Sequence, residues 1–212
     1  EAEGDGFQHR LQIKVDDYRR RAGLGEVRRE AEVLAVLTAL RQIGSDYKLP
    51  AAQELVSLLL GQGESVVVFT AFVATAQHLA DQFDQACLLT GALAPAQRQQ
   101  QVDRFQRGDS PLLIATYGTG GLGFTLHRAR HVVLMERPWT PGDTEQAEDR
   151  CHRIGMGAVL TSHWLQLGVA DQLVDGLIES KAGRIALLLH GQERSLRRRS
   201  LPAMVRELMG EW

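Results

Sequence analysis

Ser65-Val66-Val67-Val68-Phe69-Thr70 decides the fold. Four consecutive apolar residues ending in a threonine do not alternate, so neither face of the strand they form is meant for water. A strand buried on both faces needs helices on both sides of its sheet, and the following residues supply one: Phe72, Ala76, Leu79, Ala80 and Phe83 recur at helical spacing. The alternation continues downstream. Cys87-Leu88-Leu89 reads as a short strand and Pro95 to Arg107 as a helix with Val102 and Phe105 inward. Leu112 to Thr116 is a strand leading into a glycine-rich loop over 117–123, and His131 to Glu136 is another. A helix over Asp143–Gly155, a last strand around Ala158–Leu165 and a long helix from about Ala170 to Leu189 complete the series. Strands and helices alternating at this spacing predict an α/β fold with a parallel β-sheet flanked by helices on both faces. Upstream, Val33, Leu34, Val36, Leu37 and Leu40 mark a helix from Glu26 to Ile43. Pro50 then reads as the first residue of a second helix running to Leu60 and closed by Gly61 and Gly63.

Composition places the chain among ordinary soluble globular proteins: 212 residues, 44% hydrophobic, 24% charged, net charge −2. No apolar run approaches the roughly 20 residues that span a bilayer, so no membrane partner is expected, and the N-terminus carries no basic-then-apolar signal pattern. Cys87 and Cys151 are too few and too far apart for a disulfide framework or a zinc site, which favours a reducing, intracellular compartment. The near-neutral charge argues against a dedicated basic nucleic-acid coat. Arg19-Arg20-Arg21 and Arg197-Arg198-Arg199 are read as solvated helix faces, with a phosphate-binding role as the alternative.

Ligands of such sheets bind in the loops at the carboxyl ends of the strands. Those loops hold Thr70, Thr90, Thr116 with the glycines after it, and Glu136 to Pro141. Gly118-Thr119-Gly120-Gly121-Leu122-Gly123 contains the spacing of a dinucleotide fingerprint, but only Phe124 to Arg130 separate it from the next strand. That is too short for the crossover helix whose N-terminus would hold a pyrophosphate, so a nicotinamide or flavin site is rejected. The better reading is a run whose missing side chains let backbone approach a phosphate at Gly120, Gly121 and Gly123, with a tight turn needing positive φ as the purely structural alternative. On the helix over 143–155, Gln146, Arg150 and Arg153 are spaced i, i+4 and i+7 and share one face. An amide with two guanidiniums suits a polyanion such as a nucleoside triphosphate, while an Asp149–Arg153 pair on a solvated face is the plain alternative. Pro141-Gly142 reads as the start signal, with Asp143 and Thr144 as capping residues and Gly155 as the stop.

These stretches, in this order, resemble one family. Gln146-Ala147-Glu148-Asp149-Arg150-Cys151-His152-Arg153-Ile154-Gly155 resembles the last motif of the SWI/SNF-type, superfamily-two helicase-like ATPases. Thr119-Gly120-Gly121-Leu122-Gly123-Phe124-Thr125-Leu126 resembles the motif before it, and Glu136-Arg137-Pro138-Trp139-Thr140-Pro141 the tryptophan block between them. Val67-Val68-Phe69-Thr70-Ala71-Phe72 is similar to the opening motif of the second RecA-like lobe. Leu89-Thr90-Gly91 with Arg98, Val102 and Phe105 is similar to the next block, and Leu40-Arg41-Gln42-Ile43 to the inter-lobe helix. The chain departs from the pattern in having Met156 for a usual glutamine, Gly118 for a common lysine and Thr125 for a frequent asparagine.

The resemblance implies a RecA-like, P-loop NTPase-type lobe with added N- and C-terminal helices. Residues 1–23 would be a polar tether or inter-lobe segment, 24–63 inter-lobe helices, 64–190 the lobe itself and 191–212 a basic helical tail. It implies Arg150 and Arg153 as arginine fingers on ATP, Gln146, Gly120, Gly121 and Gly123 as nucleotide contacts, and Thr70, Thr90, Thr116 and Trp139 as DNA contacts. The partners implied are double-stranded DNA and the first RecA-like lobe of the same parent chain, with the fragment itself monomeric. A bacterial cytoplasm is the favoured location, or a nucleus if the source is eukaryotic. The chain has neither a G-x-x-x-x-G-K-[ST] loop nor an acidic box, so the ligands of the Mg²⁺ that accompanies ATP are expected on the absent first lobe. The lobe alone should therefore be inactive, with both arginines exposed and free of phosphate partners. A non-catalytic nucleic-acid or protein-docking module on the same fold is the second reading.

Overall fold

The structure is a computed structural model that describes residues 31–120, 124–138, 141–151 and 159–167, together with Arg10, Ile13, Asp17, Arg20 and Asp171. The chain divides into two compact units, Lys48–Gln166 and the combination of Glu1–Tyr47 with Leu167–Trp212. In the latter, the described positions before residue 21 are helical, and Arg20 of the first arginine cluster pairs with Asp17 at 3.0 Å, as a solvated helix face would. Arg197–Arg199, the helix expected over 170–189 (except Asp171) and the tail over 191–212 lie outside the described residues.

The Lys48–Gln166 unit is built on the stretch quoted first. In chain order it contains the end of helix α1 (Ala31–Gly61), strand β1 (Val66–Thr70), helix α2 (Val73–Ala80), β2 (Cys87–Leu89) and α3 (Pro95–Arg107). Then follow β3 (Leu112–Thr116), the single turn α4 (Tyr117–Gly120), β4 (His131–Leu134), α5 (Pro141–Cys151) and β5 (Thr161–Trp164). The five strands form one all-parallel sheet in the order β2-β3-β1-β4-β5. Central β1 is buried at every position, and its alternate residues face two separate cores. Val67 and Phe69 pack with Val102 and Phe105 of α3 and with Ala147 and Cys151 of α5. Val66 and Val68 pack on the other face with Ala52, Val56 and Leu59 of α1 and Ala76 and Leu79 of α2. The expected sheet with helices on both faces is what forms.

Local signals explain most element ends. Pro95 opens α3, where its missing N–H is no loss, and the Gln97 side chain accepts the Ala94 N–H at 3.0 Å. Gly108 closes α3 at φ 88°, a left-handed conformation in which other residues are strained.

Four local expectations need correction. Pro50 does not begin a second helix; α1 runs through it from Ala31 to Gly61. Proline removes one helical hydrogen bond, freeing the carbonyl of Asp46, but Asp46 is only part-buried, so water can serve that carbonyl while Ala52, Val56 and Leu59 hold the next turns on the sheet. The expected glycine loop begins as helix, because α4 takes Tyr117 to Gly120, and positive φ among the described glycines occurs only at Gly63 and Gly108. Helix α5 starts at Pro141, so Asp143 and Thr144 fall inside its first turn rather than capping it. Strand β4 ends at Leu134, and Met135 and Glu136 bend away while staying buried.

Edge strand β5 is tied to β4 by a histidine pair. Nδ1 of His131 lies 3.0 Å from Nε2 of His163, the rings are stacked, and Glu64 is 3.9 Å from the other nitrogen of His131. A hydrogen bond between two ring nitrogens needs one lone pair, so both rings cannot be cationic. Burial, and then the neighbouring His131, hold the His163 pKa below its ordinary 6.5. The folded state therefore binds protons less readily than the unfolded state. Stability linked to His163 is full above pH 6.5 and declines as pH falls below it. Thermal unfolding at pH 7 and pH 5 should show a smaller loss for His163→Gln than for the unaltered chain; equal losses would contradict the assignment.

Candidate functional site

Three strand ends and the turn after β4 meet in a buried polar network. Thr70 and Thr116, which end β1 and β3, are register partners, and both are buried, as is Thr90 after β2. The Glu136 carboxylate is 3% exposed and accepts hydrogen bonds from the Thr70 hydroxyl (3.0 Å) and the Ala71 N–H (2.8 Å). The Thr70 oxygen in turn accepts the Phe72 N–H at 3.2 Å, so one carboxylate organises the whole β1–α2 turn. The Glu136 carbonyl accepts the Tyr117 hydroxyl at 2.5 Å, and the Tyr117 ring stacks on Phe69. Just before it, the Met135 carbonyl accepts Nζ of buried Lys48 at 2.8 Å. Thr119 ties α4 down, donating to or accepting from the Thr116 hydroxyl at 2.8 Å and lying 2.9 Å from the Leu89 carbonyl.

Helix α5 presents Ala147 and Cys151 to the core, one turn apart, which fixes its rotation. Burial pushes the Cys151 thiol up to about 12, so it is packing material rather than a nucleophile. Gln146 is exposed on the neighbouring face, and Arg150, four residues on, is half-buried rather than fully exposed as expected. One Arg150 Nη donates to the Phe124 carbonyl at 3.2 Å, and the Arg150 carbonyl accepts the Leu126 N–H at 2.8 Å. The arginine thus lies against the segment that follows the glycine run. Its buried Nε has no acceptor, and among the described residues its guanidinium makes no ion pair. Burial draws its pKa down from the ordinary value, yet an arginine so placed stays charged.

Of the residues singled out in the sequence, Gln146 and Arg150 share a helix face as the i,i+4 spacing required. Gly120 is the last residue of α4. Thr70, Thr90 and Thr116 sit at the strand ends, with the Thr70 and Thr116 hydroxyls engaged inside the chain. Arg153, Gly121, Gly123 and Trp139 lie outside the described residues. Glu136, Tyr117, Lys48 and Thr119 are polar side chains of this network to which sequence reasoning assigns no individual role. The available signal was a carboxylate ending an otherwise apolar strand, where an unpaired charge could not remain.

Comparison with known proteins identifies the family and the fold. Residues 48–155 match the helicase conserved C-terminal domain. The chain is 28% identical over 193 residues to the putative ATP-dependent helicase/translocase YwqA of Bacillus subtilis, covering 80% of this chain and 21% of that protein. It is 29% identical over 178 residues to the human DNA annealing helicase and endonuclease ZRANB3, covering 77% of this chain and 16% of that protein. The chain therefore spans about a fifth of these relatives' length. Among solved structures, the Sulfolobus solfataricus SWI2/SNF2 ATPase core in complex with dsDNA shares the fold, with a TM-score of 0.65 at 19% identity over 89% of this chain and 44% of that one. With half of its length matched to one domain and its motifs in that domain's order, the chain belongs to the helicase conserved C-terminal domain family, as a RecA-like C-terminal lobe of the SWI/SNF type.

Proposed function

We propose that this chain is the second lobe of an ATP-dependent double-stranded DNA translocase, and that it contributes arginine fingers to an ATP site completed by the first lobe of the same parent protein. The observation that carries the reading is Arg150: a half-buried guanidinium on a packed helix, with a buried N–H lacking an acceptor and no ion pair among the described residues. Such a group suits phosphate oxygens. ATP with Mg²⁺ would bring the reacting phosphoryl group and the metal, whose ligands belong to the first lobe. Arg150 and Arg153 would then offset charge that develops on the phosphoryl in the transition state. Gln146, exposed one turn earlier, would contact nucleotide, and Gly120, Gly121 and Gly123 would let backbone approach it.

For DNA, the proposal places the β1–α2 turn, the loop after Thr90 and the segment after Thr116 along one strand, with Trp139 as a stacking or wedge residue. Because the Thr70 and Thr116 hydroxyls are engaged internally, these threonines would act by shaping the loops. Contacts would go to phosphates and hence be weakly sequence-specific. The human relative is a DNA annealing helicase and endonuclease, and the archaeal core was solved in complex with dsDNA; both support the choice of partner. Lobe closure on ATP and reopening after hydrolysis would step the protein along the duplex.

The isolated chain should show no DNA-stimulated ATP turnover above background and only weak ATP affinity. A coupled ATPase assay and calorimetry on the purified 212-residue chain check this; robust turnover would sink the proposal.

A further inference from the structure

The amino ends of the strands carry a second polar feature, which shares no residue with the candidates above. A surface cavity of about 360 Å³ is lined by Gly63, Glu64, Ser65, Gln106, His127, Arg128 and Arg130. Its walls are set by internal hydrogen bonds. Gln106 at the end of α3 donates to the Thr125 carbonyl at 2.5 Å and accepts the Arg128 N–H at 3.3 Å, while Ser65 donates to the Arg128 carbonyl at 2.6 Å. Those bonds fix the Gln106 amide, so its nitrogen is the donor toward Nδ1 of His127, 3.1 Å away. Neutral His127 therefore carries its proton on Nε2, which is left as a donor. Gly108 makes room for the Arg128 guanidinium, which a Cβ there would meet at 2.0 Å. The buried Nε of Arg128 has no acceptor. Among the described residues neither Arg128 nor Arg130 forms an ion pair with an acid. Glu64, the one carboxylate of the lining, lies 3.9 Å from His131.

We infer that this cavity is an oxyanion site that takes a phosphate group through Arg128, Arg130 and Nε2–H of His127. Two guanidiniums and an imidazole held by a preset wall offer donors and lack acceptors, which is the complement of a phosphate. That phosphate can be free in solution or part of a DNA backbone.

The test follows the arginine Nε and His127 ring resonances of the full 212-residue chain by NMR as inorganic phosphate is added at constant ionic strength. Saturable shifts at Arg128, Arg130 and His127 are expected, with affinity weakened roughly tenfold or more in Arg128→Gln/Arg130→Gln. Arg130→Gln alone leaves Arg128 over Gly108, keeps the test independent of that packing, and should weaken the shifts in part. Displacement of bound phosphate by a short duplex, read at these resonances, assigns the site to DNA backbone; persistence of the phosphate-bound shifts assigns it to free phosphate. Absence of saturable shifts, or an identical titration in both variants, would overturn the inference.

Discussion

In the parent protein, Arg150→Ala together with Arg153→Ala is expected to lower DNA-stimulated ATP hydrolysis by about a thousandfold or more, the scale on which arginine fingers act. A finger differs from a ground-state phosphate contact because it meets charge that exists only while the phosphoryl group is in flight. The loss should therefore appear equally in kcat and kcat/KM, with KM for ATP little changed. Arg150 carries a second job in this chain. Its backbone carbonyl accepts Leu126 N–H and its side chain holds the Phe124 carbonyl. Alanine keeps the first and removes the second, so thermal unfolding of the isolated lobe should shift by only about 1 kcal/mol. Arg150→Lys separates the roles further: it keeps charge but loses the planar fork, and should recover only a small part of the rate. Retention of the normal ATPase rate by the double variant would reject the finger assignment, whatever its effect on folding.

How far the sequence carried this reading depends on which force shaped each element. Val66 to Thr70 was legible because burial on both faces is written as an unbroken apolar run, and α3 because Pro95 and Gly108 mark its ends while Val102 and Phe105 point inward. Gln146 and Arg150 were legible as one face because helical spacing is geometric. Pro50 was misread because local propensity argued for a break, whereas packing of Ala52, Val56 and Leu59 on the sheet outweighs one lost hydrogen bond at an exposed position. The start of the expected glycine loop, Tyr117 to Gly120, is helical for a related reason. Thr119 anchors α4 to Thr116 and Leu89, a tertiary contact that composition cannot announce. The half-burial of Arg150 depends on where Phe124 lies, and Phe124 is 26 residues distant in sequence. The cavity at the amino ends was also hidden, because its walls come from the turn before β1, from α3 and from the approach to β4.

The largest effect on stability is expected at Glu136, whose carboxyl group sits almost wholly out of water two residues past the end of β4. Its carboxylate accepts from the Thr70 hydroxyl and the Ala71 N–H, and Thr70 relays to the Phe72 N–H. Hydrogen bonds to a charged group contribute about 1.5–3 kcal/mol each, and a buried donor left without an acceptor costs about 1–3 kcal/mol. Glu136→Ala removes the acceptor and leaves both donors behind, so it should destabilise the isolated lobe by about 3 kcal/mol, measured by urea unfolding. Glu136→Gln retains one oxygen but places an NH₂ where a second acceptor stood; a loss of about 1–2 kcal/mol is expected, with the Ala71 amide exchanging faster than in the unaltered chain. Because the Glu136 carbonyl also receives the Tyr117 hydroxyl through backbone, neither variant should disturb the Tyr117–Phe69 stack. The damage should reach the β1–α2 turn, the same turn proposed to follow the DNA strand. In the parent protein, Glu136→Gln should accordingly weaken DNA stimulation of ATP hydrolysis more than it lowers the DNA-independent rate. Equal stability of Glu136→Ala and the unaltered chain would show that the carboxylate does not hold that turn in place.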